Sequence, residues 1–391
     1  MNILSLFGGI ECWRVAIERL WIPVNKYFSS EIDPYAMKIA SANYPDIIHI
    51  GNVTDISYTP IHEWWKTHTL NWEWHHYVID IDLLIGGSPC QDLSIAKKNW
   101  KWLEWEKSGL FYEYVRILRE VRPKYFLLEN VASMKQADKE KITEDLREVY
   151  PDTQVHMINS ALVSAQNRKR LYWTNIPWIT QPEDKWIVLR DILEDIPMDD
   201  ERWKPIPEKY ITDDFKVRIR EATKLWYVEP EVWDAVDMSQ ENSKTRRGRL
   251  MRGGGKSNAL LTWNNIMVIW IREKSLAIQA SYAKKNIQNY MEKSEWQVVL
   301  WTYQLPRWKN EWNIHSEKTP TLTTWDFPNN NKLVSSDGLV YMWRKLTPIE
   351  CERLQTLPDW YTSHVSDSRR YKAIGNGWTV DVIAHILSFI S

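Results

Sequence analysis

Apolar runs alternate with amphipathic stretches along the first 176 residues of the chain. The apolar runs end in small or polar residues, as buried β-strands do, and lie at residues 2–7, 26–30, 83–85 and 126–128. The amphipathic stretches repeat apolar side chains every three or four positions, as helices do, and lie at residues 11–20, 108–121 and 138–150. Strands that alternate with helices predict an α/β fold, with helices on both faces of a largely parallel sheet.

The pattern changes after residue 176. From 177 to 337 the apolar periodicity is poor, which predicts an irregular domain. Strand-like pieces at 258–262 and 319–324 indicate that this domain is mostly β. Thr347 and Pro348 form a cap and first-turn pair within an amphipathic stretch at 344–358, and a closing helix is predicted at 380–390. We therefore predict three segments: a first domain at 1–176, a second domain at 177–337, and a return to the first domain at 338–391.

A thiol and a carboxyl group follow two of the predicted strands. Cys90 lies in the loop after the strand at 83–85, and Glu129 and Asn130 end the strand that begins at Phe126. Side chains at the carboxyl ends of neighbouring parallel strands meet at one edge of a sheet. A thiol beside a carboxyl group suits addition to a ring that is protonated as it is attacked, although most single cysteines are small core residues.

The start of the chain predicts a nucleotide-binding unit. A strand, the turn at Gly8 and Gly9, and a helix follow one another, and the ligand of such a unit lies over the turn and the amino end of the helix. Glu31 ends the second strand about twenty residues after the turn, where an acidic side chain binds ribose hydroxyls.

Pro89-Cys90-Gln91, together with Glu129-Asn130-Val131, resembles the DNA (cytosine-5)-methyltransferase family, and the later motifs follow in the family's order. The resemblance covers nearly the whole chain except residues 177–337. It implies a Rossmann-like methyltransferase sheet that uses S-adenosyl-L-methionine, and a separate target-recognition domain for double-stranded DNA. The implied activity is methyl transfer to C5 of a flipped cytosine through a covalent cysteine adduct, as in restriction–modification systems.

The resemblance also implies the roles of individual residues. The expected catalytic residues are Cys90, Glu129, Asn130, Gln166, Arg168 and Arg170. The expected cofactor-binding residues are Phe7, Gly9, Ile10, Glu31, Ile32, Asn52, Val53, Pro89 and Asn376. Phe7 is expected to pack against adenine, although core packing explains it equally well. Asn52 stands where the family has Asp, and its amide oxygen can still accept a hydrogen bond.

Residues 244–256 form a basic run with six positive charges and no acid. Such a run suits contacts with phosphates and guanine edges, although it also fits a solvated protein face. The expected DNA-binding residues are Lys244, Arg246, Arg247, Arg249, Arg252 and Lys256.

Two other classes of protein share parts of this pattern. A tRNA cytosine-C5 methyltransferase has the same core, but its recognition region is compact, whereas the region here is long, so DNA is preferred. A DNA-binding relative without activity is the second alternative, and the intact Cys90, Glu129, Arg168 and Arg170 argue against it.

Overall composition narrows the remaining choices. The charges nearly cancel, with 50 Lys and Arg against 51 Asp and Glu, so a nucleic acid needs a local basic surface. The three scattered cysteines suit neither a disulfide framework nor a zinc site, so no metal is expected. The chain starts directly with a strand and has no apolar run of membrane-spanning length. We expect a cytoplasmic monomer without a membrane partner.

Tryptophan is abundant and glycine is scarce in this chain. It contains 25 Trp and 13 Gly, whereas ordinary glycine usage gives roughly 27 Gly in a chain of this length. Trp21 and Trp360 stand where a helix cap and a turn favour glycine, and Trp325 interrupts the strand-like run at 321–324. By the resemblance, glycine is also expected near Trp13, Trp102 and Trp105. We predict that many of these Trp codons are read as glycine in the source, the alternative being a chain genuinely rich in Trp.

Overall fold

The structure is a computed structural model. It describes residues 1–62, 65–73, 75–87, 109–197, 200–212, 216–231, 234–250, 255–260, 266–272, 302–304, 313–314, 331–333 and 340–390. The chain forms two compact units. The core unit comprises Met1–Glu194, Met251–Ile266 and Leu346–Ser391, and the second unit comprises Asp195–Leu250 and Met267–Lys345.

A seven-stranded sheet forms the centre of the core unit. In chain order its strands are β1 (Asn2–Leu6), β2 (Lys26–Ser30), β3 (Ile47–His49), β4 (Leu83–Gly86), β5 (Tyr125–Val131), β6 (Gln154–Asn159) and β7 (Lys169–Thr174). Their spatial order is β3-β2-β1-β4-β5-β7-β6; β7 is antiparallel to both of its neighbours, and all other pairs are parallel. The order reverses between β1 and β4, and sheets of this kind bind ligands at such a reversal.

Helices cover both faces of this sheet, which confirms the predicted α/β fold. The helices are α1 (Cys12–Arg19), α2 (Pro34–Asn43), α3 (Gly109–Val121), α4 (Gln136–Val149), α5 (Leu189–Ile192), α6 (Pro348–Leu354), α7 (Asp367–Asn376) and α8 (Val380–Leu387). Side chains alternate across the sheet, so Ile3 packs with α1, α2 and α8, whereas Leu4 packs with α3 and α4. These two apolar clusters form the core on either side of the sheet.

Smaller elements complete the core unit. A three-stranded antiparallel sheet consists of Ser57–His62, Trp65–Trp72 and His75–Val78. A parallel pair consists of Gln166–Asn167 and Ser257–Asn258. Two short 3-10 helices lie at Val53–Asp55 and Ser160–Leu162.

The described elements of the second unit are strands, apart from a 3-10 helix at Glu208–Tyr210. A four-stranded sheet has the order Lys204–Pro205, Val340–Lys345, Ile266–Arg272, Ala235–Asp237. A hairpin pairs Ile219–Arg220 with Tyr227–Val228. A three-stranded sheet has the order Asn313–Ile314, Thr302–Gln304, Asn331–Leu333. This composition agrees with the irregular, mostly-β domain predicted for residues 177–337.

The last part of the chain returns to the first strand and helix. The Trp378 N–H donates to Cys12 Sγ at 3.3 Å, and the Tyr361 hydroxyl donates to the carbonyl oxygen of Ile10 at 2.7 Å. The predicted helix at 344–358 is shorter in the structure, because residues 344 and 345 end a strand and Thr347 caps α6. Glu350 completes this cap by accepting the Thr347 backbone N–H at 2.8 Å.

Candidate active site

The ends of β4 and β5 lie side by side at one edge of the sheet. Gly86 pairs with Leu128 in parallel register, so Gly87 and Glu129 follow at the same level. A Cβ atom on Gly87 would lie 3.2 Å from Glu129 Oε2 and 2.7 Å from the Trp378 ring. Glycine at 87 therefore allows the chain to pass beside the Glu129 carboxyl group. Pro89 and Cys90 lie outside the described residues.

Glu129 is buried and ion-paired at this edge. Its Oε1 accepts from Arg170 Nε at 2.8 Å, and the two side chains are only 11% and 16% exposed. Burial raises the pKa of Glu129 above its ordinary value, while the positive charges of Arg170 and Arg168 act in the opposite direction. The Glu129 carboxyl group is therefore protonated more easily in this position than it is in water.

Arg168 and Arg170 have different partners. Arg168 precedes β7 instead of lying within it, so the alternation of a single strand does not relate the two side chains. The buried Arg168 guanidinium donates to the Gly377 carbonyl at 2.9 Å and to the Gly375 carbonyl at 3.4 Å. Arg168 therefore fixes the turn after α7, and Arg170 fixes the carboxyl group.

Gln166 has a buried side-chain amide, and among the described residues neither its oxygen nor its nitrogen has a hydrogen-bond partner. An unpaired polar group of this kind costs about 1–3 kcal/mol, so such groups usually have a ligand or water as their partner. Asn130 is also buried, and its side-chain oxygen accepts the Val131 N–H at 2.8 Å.

The turn after β1 is joined to the end of β2. Gly9 has a φ of 57°, and no atom of the described residues lies within 4 Å of the place where its Cβ would be, so these residues leave this side of the turn open. Its N–H donates to Glu31 Oε2 at 2.8 Å, and Glu31 Oε1 accepts the N–H groups of Ile32 and Asp33 at 2.7 and 2.8 Å. These three bonds hold the Glu31 carboxylate beside the turn. Phe7 lies at the start of this turn; it also has a φ of 57°, and it is half-buried.

Glu11 is a functional candidate that the sequence patterns did not reveal. Its carboxyl group is fully buried and accepts from Tyr27 Oη at 2.6 Å, Trp13 Nε1 at 2.7 Å, Ser5 Oγ at 3.0 Å, and Ser29 Oγ. Burial raises its pKa, while these hydrogen bonds act against the rise. In the sequence, the only sign of this role is that Glu11 follows the Gly8-Gly9 turn at a position where a glycine motif would continue.

The other expected cofactor residues have varied surroundings. Ile10 and Val53 are buried, whereas Ile32 is 72% exposed. Asn52 caps a 3-10 helix, since its side-chain oxygen accepts the Thr54 N–H at 3.3 Å. Asn376 is exposed and is the last residue of α7, so the glycine-asparagine-glycine motif at 375–377 ends that helix, and α8 begins three residues after it, at Val380.

The basic run divides into exposed and buried members. Lys244 and Arg247 are exposed, and Arg246 pairs with Asp237. Arg249 is fully buried and donates to the carbonyl oxygens of residues 237, 239, 240 and 241. Its guanidinium group therefore fills the inside of a loop, and Lys244 and Arg247 lie on the outside.

Lys256, in the core unit, also contacts backbone. Its ammonium group donates to the Ala161 carbonyl at 2.9 Å, and to those of Ser164 and Ile187. Three carbonyl partners match the three donors of an ammonium group. This arrangement ties the loop after β6 to residues 187 and 256. Arg252 lies outside the described residues.

Neither a metal-binding cluster nor a membrane-spanning helix is found in the described part of the chain. No group of three or more His, Cys, Asp or Glu side chains there is arranged to hold a metal ion. No described helix combines the length and apolar character needed to cross a membrane.

The glycine turn at β1, the acid at β2 and the paired carboxyl group at β5 all lie at the carboxyl ends of parallel strands, as in cofactor-dependent α/β enzymes. The chain matches the model of the C-5 cytosine-specific DNA methylase family over residues 1–391. It belongs to that family, and it is a DNA cytosine-5 methyltransferase.

Individual relatives agree with this assignment. The orphan methyltransferase M.SPRI of Bacillus phage SPR is 24% identical to this chain over an alignment 449 residues long, gaps included. The alignment covers 99% of this chain and 96% of the phage protein. The type II methyltransferase M.HpaII of Haemophilus parainfluenzae is 26% identical over 402 residues, covering 98% and 87%. The crystal structure of a DNA modification methyltransferase encoded within an E. coli prophage has the same fold, with a TM-score of 0.51 at 18% identity, covering 100% and 98% of the two chains.

Proposed function

We propose that the protein moves a methyl group from S-adenosyl-L-methionine to C5 of a cytosine rotated out of duplex DNA, with Cys90 as a covalent nucleophile. The observation that supports this most directly is the position of Glu129. It lies buried beside Gly87, three residues before Cys90 in the sequence, and Arg170 holds it from the neighbouring strand. A thiol and a carboxyl group that reach one ring from adjacent strand ends can attack it and protonate it together.

The residues around the β1 turn fit the proposed methyl donor. Gly9 leaves open space above the turn, and the Glu31 carboxylate retains lone pairs that can accept from ribose hydroxyls. Phe7 offers a half-buried ring to adenine, and Asn52 and Val53 lie at the start of a 3-10 helix on the same edge. Ile10 would support the turn from the core, and Ile32, Pro89 and Asn376 complete the proposed set. Bound there, S-adenosyl-L-methionine supplies a methyl group on an electrophilic sulfonium.

The chain's own residues would activate cytosine as follows. The Cys90 thiolate forms a bond to C6, and the electron pair of the C5–C6 double bond makes C5 nucleophilic. Glu129 donates a proton or a hydrogen bond to N3, which stabilises the charge that develops on the ring. C5 then takes the methyl group as the bond between that group and the donor sulfur breaks, which leaves S-adenosyl-L-homocysteine. Loss of the C5 proton to a water molecule restores the double bond and expels the thiolate. Extruding the base costs a few kcal/mol, which new contacts must offset.

Four further residues would position the extruded base. The unpaired amide of Gln166 offers a donor and an acceptor. Arg170 fixes the Glu129 carboxyl group for N3, and Arg168 fixes the turn at Gly377. Asn130, next to Glu129, would orient the same edge.

The test of this function is transfer of labelled methyl from S-adenosyl-L-methionine to duplex DNA, followed by digestion to nucleosides. The expected product is 5-methylcytosine, and the same assay with tRNA should give background. If tRNA is labelled and DNA is not, the protein is a tRNA cytosine-C5 methyltransferase. If the protein binds DNA but labels neither substrate, it is a DNA-binding relative without activity.

We assign target recognition to the second unit, with Lys244 and Arg247 binding phosphates. Both side chains are exposed on the loop that Arg249 fills. Changing Lys244 and Arg247 together to Ala should weaken DNA binding and reduce the slope of log affinity against log salt by about 0.9 for each phosphate that the protein no longer neutralises. The measurement is binding to one duplex at several salt concentrations.

A matched control separates phosphate binding from folding. Arg249→Ala removes the same kind of charge but leaves several buried carbonyl oxygens without a donor. It should therefore lower the free energy of unfolding by at least about 2 kcal/mol, whereas the Lys244 and Arg247 double variant should keep its stability. An unchanged salt slope in the folded double variant would move the DNA-binding surface to other residues.

A further inference from the structure

Tryptophan occupies left-handed backbone positions unusually often in this structure. Among the described residues, eleven residues other than glycine have a positive φ, and five of the eleven are Trp. They are Trp21 (φ 54°), Trp178 (63°), Trp186 (55°), Trp226 (63°) and Trp360 (67°). Bulky side chains rarely adopt this conformation, because Cβ crowds the backbone, and glycine is the residue that adopts it freely.

The same five side chains are exposed to solvent. Their exposed fractions run from 61% for Trp360 to 90% for Trp21. The other Trp residues whose burial is described are buried or half-buried, and none of them has a positive φ: Trp13, Trp72, Trp173, Trp203, Trp343 and Trp378. Strained backbone and an unburied ring thus coincide in one set of Trp residues. An indole ring in water contributes no burial that could offset the strain.

The hydrogen bonds at Trp21 define a glycine position. Leu20 caps the carboxyl end of α1; the Trp21 N–H donates to Glu18 O at 2.9 Å, and the Ile22 N–H donates to Ile17 O at 3.2 Å. These two bonds form a Schellman motif with Trp21 at the left-handed position, which is usually glycine.

The other four positions belong to turns. Trp178 directly follows Pro177 in a turn, and proline followed by glycine is the usual pair at the centre of a type II turn. Trp226 closes the loop of the hairpin that leads into Tyr227–Val228, with its N–H donating to Thr223 O at 3.1 Å. Trp360 follows Asp359, and Trp186 lies two residues after Asp184, in segments where glycine also allows the reversal.

We infer that the codons for these five residues are read as glycine in the organism that makes this protein, so that the native chain carries glycine at positions 21, 178, 186, 226 and 360. The inference is independent of the proposed chemistry, because it rests on backbone conformation and exposure alone. It agrees with the composition of 25 Trp and 13 Gly. Trp13 is different: it is buried and helical, and its Nε1 donates to Glu11, so its backbone does not require glycine.

Two measurements test the inference. The first is mass spectrometry of peptides from the protein isolated from its own source, together with the codons at the five positions. Glycine masses at these positions are expected, encoded by a triplet other than UGG. Peptides with tryptophan at the five positions would overturn the inference.

The second measurement isolates the backbone. Three versions of the chain are compared by thermal unfolding: as written, with Gly at all five positions, and with Ala at all five. Both replacements remove the same rings, so the difference between them reports φ alone. The Gly version should melt several degrees above the Ala version. Trp343 lies in a strand and serves as the control position: there, the chain with Ala should be more stable than the chain with Gly. An Ala version as stable as the Gly version at the five positions would contradict the inference.

Discussion

Replacement of Cys90 by serine is expected to abolish methyl transfer while leaving DNA binding close to that of the unchanged protein. A thiol with an ordinary pKa near 8.5 supplies some thiolate at neutral pH, and a charge or dipole at the site increases that fraction. A serine hydroxyl supplies almost no alkoxide, so the bond to C6 does not form. The measurement is labelled methyl transfer in parallel with duplex binding.

Cys351→Ser is the matched control for this variant. Cys351 is buried in α6 and belongs to no proposed catalytic step, so this change should retain turnover. A duplex with 5-fluorocytosine at the target gives a second readout, because without a C5 proton the adduct cannot resolve. The unchanged protein should remain covalently attached to it, and the Cys90→Ser protein should not. Appreciable methylation by Cys90→Ser would remove the covalent mechanism.

Most of the core sheet follows from local patterning. The strands and helices predicted before residue 151 are found within two residues of their expected ends. The adjacency of the β4 and β5 ends was also predictable, since apolar runs that alternate with helices form parallel sheets. The sequence alone therefore predicts that Glu129 lies beside the end of β4, where the structure has it next to Gly87.

The buried charged groups could not be predicted in the same way. Arg249 and Lys256 belong to a run of basic residues that resembles a DNA-binding surface, yet both donate to backbone carbonyl oxygens, the first fully buried and the second half-buried. Which members of a basic run face inward depends on how the loops around them fold, and that information is not local. Glu11 is a similar case, because its four donors come from β1, β2 and the adjoining helix α1.

Interactions between distant segments account for the remaining differences. Arg168 is only two residues from Arg170 in the sequence, but it lies before β7 and contacts residues about two hundred positions later, at Gly375 and Gly377, which no local pattern indicates. Asn376 lies at the end of α7, a helix that the sequence patterns did not predict, and just before α8, the closing helix that they did predict.

Glu129→Gln is expected to lower the rate constant of methyl transfer by about 10²–10⁴-fold, the usual contribution of a positioned general acid. The amide keeps the shape of the side chain and can still donate a hydrogen bond, but it cannot transfer a proton to N3. Single-turnover kinetics with saturating DNA measures this step apart from binding. A loss that appears only in DNA affinity would assign Glu129 a binding role.

The pH profile gives an independent test of the same residue. Burial raises the pKa of Glu129, so the protonated form persists to higher pH than for an exposed Glu, and the rate should fall as pH rises through that raised value. The Arg170 charge acts against this rise; Arg170→Gln should therefore raise the pKa further and move the alkaline fall of the rate to higher pH. Arg170→Lys keeps the charge and should leave the fall close to its original position. The Glu129→Gln protein should show no fall of the rate at alkaline pH. If its pH profile is the same as that of the unchanged protein, the fall comes from the ionisation of another group.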